Sequence, residues 1–189
     1  YICNKDKNGN LKGKKIFLTE DDNTRPVRVL VKESIFNLIL HSKNIKPNIY
    51  SSSILDLFSG TGSFGIECLS REASKITFVE NHKDAIKILK KNLEKLNCEK
   101  KYKIIENDCF TYLSLKENTQ EKFDIIFIDP PYKEKKINII IENIIDKKIL
   151  LKNGVIIIHR HKKDDVIITK KMKILDTRVY GLSKIIIGN

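Results

Sequence analysis

Two uninterrupted apolar runs, Ile125–Ile128 and Val155–Ile158, constrain the fold of this chain more than any other feature. A strand with one face in water alternates apolar and polar side chains, so such runs are typical of strands buried on both faces of a parallel sheet. Parallel strands need a crossover connection, and residues 134–150, between the two runs, have helical character. The pattern therefore predicts an α/β protein built on a mainly parallel sheet.

Segments with strand character alternate with helical ones from residue 54 onward. The predicted strands are residues 54–58, 75–80, 102–106, 123–129 and 154–158, then a closing pair at 173–180 and 184–187. The predicted helices follow the first strand to about Arg71 and span residues 82–96 and 134–150. We expect one α/β domain over residues 54–189. A basic extension with one amphipathic helix, residues 1–53, precedes it and forms a single compact unit with it.

The charge of the chain is unevenly distributed. Lys and Arg number 36 against 24 Asp and Glu, a net charge of +12. Residues 1–53 carry +5, residues 54–132 carry −1 and residues 133–189 carry +8. An A/T-rich genome explains the preference for Lys over Arg, but a neutral middle between basic flanks favours a polyanion partner such as nucleic acid.

Cysteine usage and hydropathy indicate the compartment. Cys3, Cys68, Cys98 and Cys109 form no CxxC pair and have no His at ligand spacing, so we expect no metal site. Unpaired thiols favour a reducing, cytoplasmic environment. The chain opens at Tyr1 rather than Met, which leaves an organellar address open if a targeting peptide precedes it. The apolar stretches are far shorter than the ~20 residues of a membrane span.

A glycine-rich segment follows the first predicted strand. Gly60, Gly62 and Gly65 fit the pattern G-x-G-x-x-G, which allows a tight turn and lets a ligand approach the backbone at a helix N-terminus. A dinucleotide is one interpretation, and a turn without a ligand is another. Asp56, inside the strand, is not part of the dinucleotide fingerprint, and its carboxylate could hold a cationic group.

Acidic residues follow the next two predicted strands. Glu80 ends the second strand, where a carboxylate can accept hydrogen bonds from a ribose diol. Asp108 follows the third strand and could accept from an adenine amine while Phe110 covers the ring. The alternative for Glu80 is a solvated acid at the strand end, and for Asp108 a position without a ligand is equally open. Ligands of open α/β sheets bind beyond the carboxyl ends of the strands, so these positions predict a nucleoside site.

The fourth predicted strand ends in Asp129-Pro130-Pro131-Tyr132, the most specific motif of the chain. Two prolines fix the backbone and remove two N–H donors, so the Asp129 carboxylate and the Pro130 carbonyl can both accept from one –NH2 group. Tyr132 offers a ring on which a base can stack. Accepting both protons favours the pyramidal, nucleophilic form of an aromatic amine, and Asp129 can take the proton that leaves. A rigid turn that only closes the strand is the alternative.

These motifs resemble a known family. The Asp-Pro-Pro-Tyr segment and the glycine-rich loop resemble class I S-adenosylmethionine-dependent amino-methyltransferases. More narrowly, residues 25–37, 56–62, 67–71, 78–80 and 123–132 are similar to the bacterial 16S ribosomal RNA guanine-N2 methyltransferase family, and the resemblance runs from about Gly9 to Gly188. It implies a Rossmann-like fold with a mainly parallel seven-stranded sheet, an antiparallel C-terminal hairpin and a small N-terminal extension.

The resemblance also implies the site residues. S-adenosyl-L-methionine would be held by Asp56, Phe58, Gly60, Thr61, Gly62, Glu80, Asn107, Asp108 and Phe110. The target guanine would be held by Asp129, Pro130, Pro131 and Tyr132, in 16S ribosomal RNA or the small-subunit particle. The candidate RNA contacts are Arg25, Arg28, Arg160, Lys162 and Lys163. We expect the protein to act as a monomer.

The sequence departs from the family pattern in two places. Residues 27–30 read Val-Arg-Val-Leu where the family carries polar side chains, of which Arg28 could replace one. After the fifth strand, His159–Lys163 stands where many members carry an acid, and it is either a solvated loop or a phosphate contact. Two other functions remain: an adenine-N6 methyltransferase acting on RNA or DNA, and a noncatalytic RNA-binding assembly factor that keeps the fold.

Overall fold

The computed structural model describes residues 29–96 and 99–189, which form one seven-stranded sheet with helices. The strands are β1 Ser53–Leu57, β2 Lys75–Glu80, β3 Tyr102–Glu106, β4 Phe123–Ile128, β5 Leu150–His161, β6 Ile174–Tyr180 and β7 Ser183–Gly188. The helices are α1 Val29–His41, α2 Ser63–Ser70, α3 Lys83–Glu94, α4 Cys109–Ser114 and α5 Ile137–Asp146, with short 3-10 turns at Glu99–Lys101 and Glu117–Thr119.

The strand order across the sheet is β3-β2-β1-β4-β5-β7-β6. The first five strands in the chain pair in parallel, whereas β7 is antiparallel to both β5 and β6. The predicted α/β fold, with its mainly parallel sheet and antiparallel C-terminal hairpin, is therefore confirmed. The direction in which successive strands are added to the sheet reverses between β1 and β4. The carboxyl ends of these two strands therefore mark the switch point, where sheets of this kind bind ligands.

The apolar strand β4 shows why the sheet is covered on both faces. Its side chains alternate: Ile125 and Phe127 pack into a buried cluster with residues of α1, α2 and α3. Ile126 and Ile128 pack into a second cluster with residues of α4 and α5. Both faces of the strand are dry, which is the condition that an unbroken apolar run predicts. Because α1 packs into the first cluster, part of the N-terminal extension shares the core of the sheet.

The segment around β5 differs from the prediction. The strand begins at Leu150, which pairs with Phe123, and the register shifts before Val155 pairs with Ile125. Between these two pairs β5 contains more residues than β4, and this irregularity accommodates them as a β-bulge does. The helix predicted for residues 134–150 is shorter, because Lys148 has a left-handed φ of 52° just beyond the end of α5.

The far end of β5 corrects a second expectation. His159, Arg160 and His161 are strand residues that pair with β7, so the interpretation of this run as a solvated loop is wrong for them. Only Lys162 and Lys163 lie beyond the strand, and both are exposed.

Two predicted RNA contacts, Arg25 and Arg28, lie outside the described residues, as do Cys3 and Cys98. Within residues 29–96 and 99–189, no helix has the length and apolar character needed to cross a membrane.

Candidate active site

A cavity of about 1190 Å³ opens at the carboxyl ends of β1, β2 and β4. Its walls include most of the predicted site residues, namely Asp56, Phe58, Gly60, Thr61, Glu80, Asp108, Phe110 and Asp129 to Tyr132. Gly62 lies between two lining residues, Thr61 and Ser63, but does not itself line the cavity. Asn107 lines a small adjoining pocket. The strand order therefore brings both predicted half-sites, for cofactor and for base, to one cavity.

The glycine-rich turn between β1 and α2 forms one wall. Gly60 and Gly62 have φ angles of 55° and 84°, which favour glycine, and Phe58 also has a positive φ of 58°. A Cβ atom at Gly60 would meet no other atom within 4 Å, so a ligand can approach the backbone there. A Cβ atom at Gly62 would collide with the buried side chain of Leu89, so this glycine is required by packing.

Glu80 fastens this turn to the end of β2. Its Oε2 accepts a hydrogen bond from the backbone N–H of Gly60 at 2.7 Å. Its Oε1 accepts from the N–H groups of Asn81 and His82, each at 2.9 Å. The carboxylate is 8% exposed and lines the cavity, so Glu80 shapes the wall; contact with a ribose remains a prediction.

Asp56 lies at the bottom of the cavity and fixes the start of α2. Its Oδ2 accepts from the backbone N–H of Gly65 at 3.0 Å, and burial raises the pKa of the carboxyl well above its ordinary value. The buried ammonium group of Lys32 donates to the carbonyl oxygen of Ser63 at 3.2 Å. Burial lowers the pKa of Lys32 to about 8, although the negative charges of Glu67 and Asp56 favour its protonated form. The sequence marks Lys32 only as part of a motif.

Asp108 has a structural role that its position in the sequence does not reveal. Its Oδ1 accepts from the backbone N–H groups of Phe110 and Thr111, at 3.0 and 2.9 Å, and so caps the N-terminus of α4. Hydrogen bonds, first from the Thr111 side chain and then from these amides, lower the pKa of Asp108. Asn107 Oδ1 accepts from the N–H of Asp108 at 2.9 Å. The predicted adenine contact remains a prediction beside this role.

The Asp129–Tyr132 segment forms the opposite wall. The N–H of Asp129 donates to the carbonyl of Leu57 at 3.4 Å, which ties the motif to the end of β1 across the switch point. Tyr132 is 62% exposed, and its ring meets the His161 ring edge to face at 5.2 Å. An exposed ring at the mouth of a cavity provides a stacking surface for a base that enters from outside.

His159 and Ser183 complete this wall, and neither was predicted as part of a catalytic site. His159 Nδ1 lies 2.7 Å from Asp129 Oδ1, and His159 Nε2 lies 2.8 Å from Ser183 Oγ. All three residues line the cavity. A signal was present in the sequence, since Asp129 and His159 each directly follow an apolar run of four residues, and the runs pair in parallel.

Arg160, one of the predicted RNA contacts, is buried beside the cavity. Its side chain is 4% exposed, forms an ion pair with Asp164 and donates from Nη2 to the carbonyl of Glu134 at 2.9 Å. It therefore links the turn after β5 to the segment after Tyr132. Its contact with RNA remains a prediction. Lys162 and Lys163, which follow Arg160, are exposed, and their contact with RNA remains a prediction.

The cavity carries buried polar atoms with unused hydrogen-bonding capacity. Ser59 Oγ and Ser63 Oγ are both buried, line the cavity and have no hydrogen-bond partner within the part of the chain that the structure describes. Buried hydroxyl groups normally find partners, so these atoms fit a polar ligand. Among residues 29–96 and 99–189 no group of three or more His, Cys, Asp or Glu could hold a metal ion.

The strand order, the antiparallel β7 and the cavity at the switch point define the class I methyltransferase fold. Solved structures from Escherichia coli and Haemophilus influenzae share it, with TM-scores of 0.79 and 0.75 and identities of 23% and 28%. These two matches each cover 95% of this chain, and 93% and 94% of the solved chains.

The family follows from the sequence comparison. The family model described as "Conserved hypothetical protein 95" matches residues 7–189, and this chain belongs to that family. Two relatives, from Buchnera aphidicola (subspecies Acyrthosiphon pisum) and Haemophilus influenzae, are named ribosomal RNA small subunit methyltransferase D. They are 36% and 32% identical to this chain over 90% of its length, and over 85% and 86% of their own. The predicted family is confirmed.

Proposed function

We propose that this protein transfers a methyl group from S-adenosyl-L-methionine to the exocyclic N2 amine of a guanine in small-subunit (16S) ribosomal RNA. The observation that carries the proposal is the position of Asp129, Pro130 and Tyr132, which line the cavity opposite the glycine-rich turn. The names of the relatives support ribosomal RNA as the substrate.

The cavity is suited to a cationic nucleoside. Five carboxyl groups line it, from Asp56, Glu80, Asp108, Asp129 and Glu134, against two cationic side chains, Lys133 and Arg160. The open space at Gly60 and the unused hydroxyls of Ser59 and Ser63 suit the polar parts of the cofactor. When bound, S-adenosyl-L-methionine supplies a methyl carbon whose bond to the positively charged sulfur breaks, leaving the electron pair on sulfur, as its bond to guanine N2 forms.

The chain's own residues prepare the amine. Asp129 and the Pro130 carbonyl accept hydrogen bonds from the two N–H groups of the amine. These bonds favour a pyramidal nitrogen, whose lone pair is less delocalised into the base ring and is therefore more nucleophilic. Tyr132 holds the base by stacking, worth about 1–3 kcal/mol. Asp129 takes the proton that the nitrogen loses. Most of the rate enhancement then comes from positioning and electrostatics.

A base in a folded RNA must leave its stack to reach this cavity, as base-modifying enzymes generally require. The exposed Lys133, Lys162 and Lys163 next to the motif are proposed to hold the surrounding phosphates. Arg25 and Arg28 are proposed contacts in the N-terminal extension. All five residues belong to the two basic flanks of the sequence.

The test is the substitution Asp129→Ala. Methyl transfer to undermethylated small-subunit particles should fall at least a hundredfold, since both the acceptor and the base are lost. Binding of S-adenosyl-L-methionine, measured by calorimetry, should change by less than about threefold. Asp165→Ala removes an exposed carboxylate away from the cavity and is the matched control. Wild-type turnover by Asp129→Ala would contradict the mechanism, and a wild-type protein that binds no cofactor would favour a noncatalytic role.

A further inference from the structure

Asp129 and His159 form a polar pair at the carboxyl ends of β4 and β5, whereas the residue pairs that precede them along these strands are apolar. In the parallel register Phe127 pairs with Ile157 and Ile128 with Ile158, so the next step sets Asp129 beside His159. Side chains alternate along a strand, and Phe127 and Ile157 both belong to the cluster under α1 and α2. Asp129 and His159 therefore point to the same side of the sheet, into the cavity.

A residue of the antiparallel strand β7 fixes the other side of the ring. His161 pairs with Ser183 and His159 pairs with Ile185, so Ser183 is the diagonal neighbour of His159 on the same face. Its hydroxyl lies 2.8 Å from Nε2, and Ser183 itself is buried. The imidazole is thus held at both nitrogens, by a group just beyond β4 and by a group on β7.

The chemistry of the partners assigns the proton. An ionised carboxylate can only accept, so the 2.7 Å contact with Asp129 requires a hydrogen on Nδ1. In the neutral ring Nε2 then accepts from the Ser183 hydroxyl. Because one lone pair of Asp129 Oδ1 is used by this bond, Oδ2 has the larger remaining capacity to accept from the target amine.

We infer that His159 is a positioning residue for methyl transfer: it fixes the carboxylate of Asp129 in the orientation that accepts from the target amine, and Ser183 fixes the ring. The role rests on the proposed function, since Asp129 is the group that meets the amine. Without the ring, the carboxylate is free to rotate about its side-chain bonds, and misplacement of a reacting group by about 1 Å can cost a hundredfold in rate.

Three variants of His159 separate positioning from space filling. The amide nitrogen of His159→Asn takes the place of Nδ1 and can still donate to Asp129, whereas that of His159→Gln takes the place of Nε2 and cannot. We expect His159→Ala to lower kcat about ten- to a hundredfold, with KM for the particle and cofactor affinity changed less than about threefold. His159→Asn should recover kcat to within about fivefold of wild type, and His159→Gln should behave like His159→Ala.

Equal losses in His159→Asn and His159→Gln, or an unchanged kcat in His159→Ala, would overturn the role. Circular dichroism and thermal unfolding verify that each variant folds. A readout that does not depend on activity is nitrogen-15 NMR of the histidine rings. It should show the Nδ1-protonated form of His159 in the wild type and its loss in Asp129→Ala.

The Nε2-protonated form in the wild type would contradict the assignment whether or not the protein is active. A wild-type protein that shows the Nδ1-protonated form but methylates no small-subunit RNA would refute the proposed function and leave the pairing intact. The two failures are therefore distinguishable.

Discussion

Gly65→Ala tests how closely α2 approaches the sheet beneath the cofactor wall. A Cβ atom at this position would lie 2.8 Å from Phe78 Cζ and 2.9 Å from Ile76 Cγ2, and closer still to Phe78 Cε1. Both neighbours are fully buried on β2 and have no room to move. The N–H of Gly65 also donates to Asp56, so a shift of α2 disturbs the floor of the cavity.

The expected destabilisation combines two opposing effects. Inserting a methyl group into a filled core costs about 3 kcal/mol at the upper end of the usual range. Alanine in place of glycine inside a helix returns about 1 kcal/mol. The net loss is about 2 kcal/mol, which lowers the melting temperature of a chain of this size by about 4–8 °C. Because the turn before α2 moves with the helix, cofactor affinity should fall as well.

The assay is thermal and urea unfolding together with calorimetry of cofactor binding. Gly181→Ala is the matched control: its φ is 58° with no atom within 4 Å of the added Cβ, so it costs only the left-handed strain of about 1–2 kcal/mol and leaves cofactor affinity unchanged. In a Phe78→Leu background the penalty of Gly65→Ala should shrink. A Gly65→Ala protein as stable as wild type would refute the close approach of α2 to β2.

The remaining predictions concern charge. Burial lowers the pKa of Lys32 from its ordinary 10.5 to about 8, so the unfolded chain binds more protons between these values and this group makes stability rise with pH there. In urea unfolding, the free energy of unfolding of the wild type relative to that of Lys32→Met should rise by about 3 kcal/mol from pH 8 to pH 10.5. A difference that stays constant with pH would contradict this prediction. Replacing Lys162 and Lys163 together by Ala should raise KM for the particle and reduce the slope of log affinity against log salt by about 1.5–2. An unchanged slope would place the RNA elsewhere.

The sequence predicts the sheet because each strand is marked by its own composition. The unbroken run of β4 can be satisfied only by apolar cover on both faces, and the two clusters supply it. The site follows from the same reasoning, since the residues that end parallel strands meet at one edge. The common location of Asp56, Glu80 and Asp129 in one cavity could therefore be predicted without knowledge of the tertiary structure.

What the sequence does not predict depends on contacts between distant segments. Arg160 is buried because the turn after β5 returns Asp164 to it and the carbonyl of Glu134 arrives from another connection. Asp108 caps α4, a helix of six residues with β-branched and aromatic side chains that give little helical signal. Ser183 meets His159 only because β7 runs antiparallel to β5.

The most direct test of the central claim is nucleoside analysis of the product. Undermethylated small-subunit particles are incubated with the protein and S-adenosyl-L-methionine that carries a deuterated methyl group. The RNA is then digested and its nucleosides are separated by mass spectrometry. We expect the label in N2-methylguanosine, in proportion to enzyme and absent with Asp129→Ala. Label in N6-methyladenosine, or none in any nucleoside of particles that the protein binds, would contradict the account.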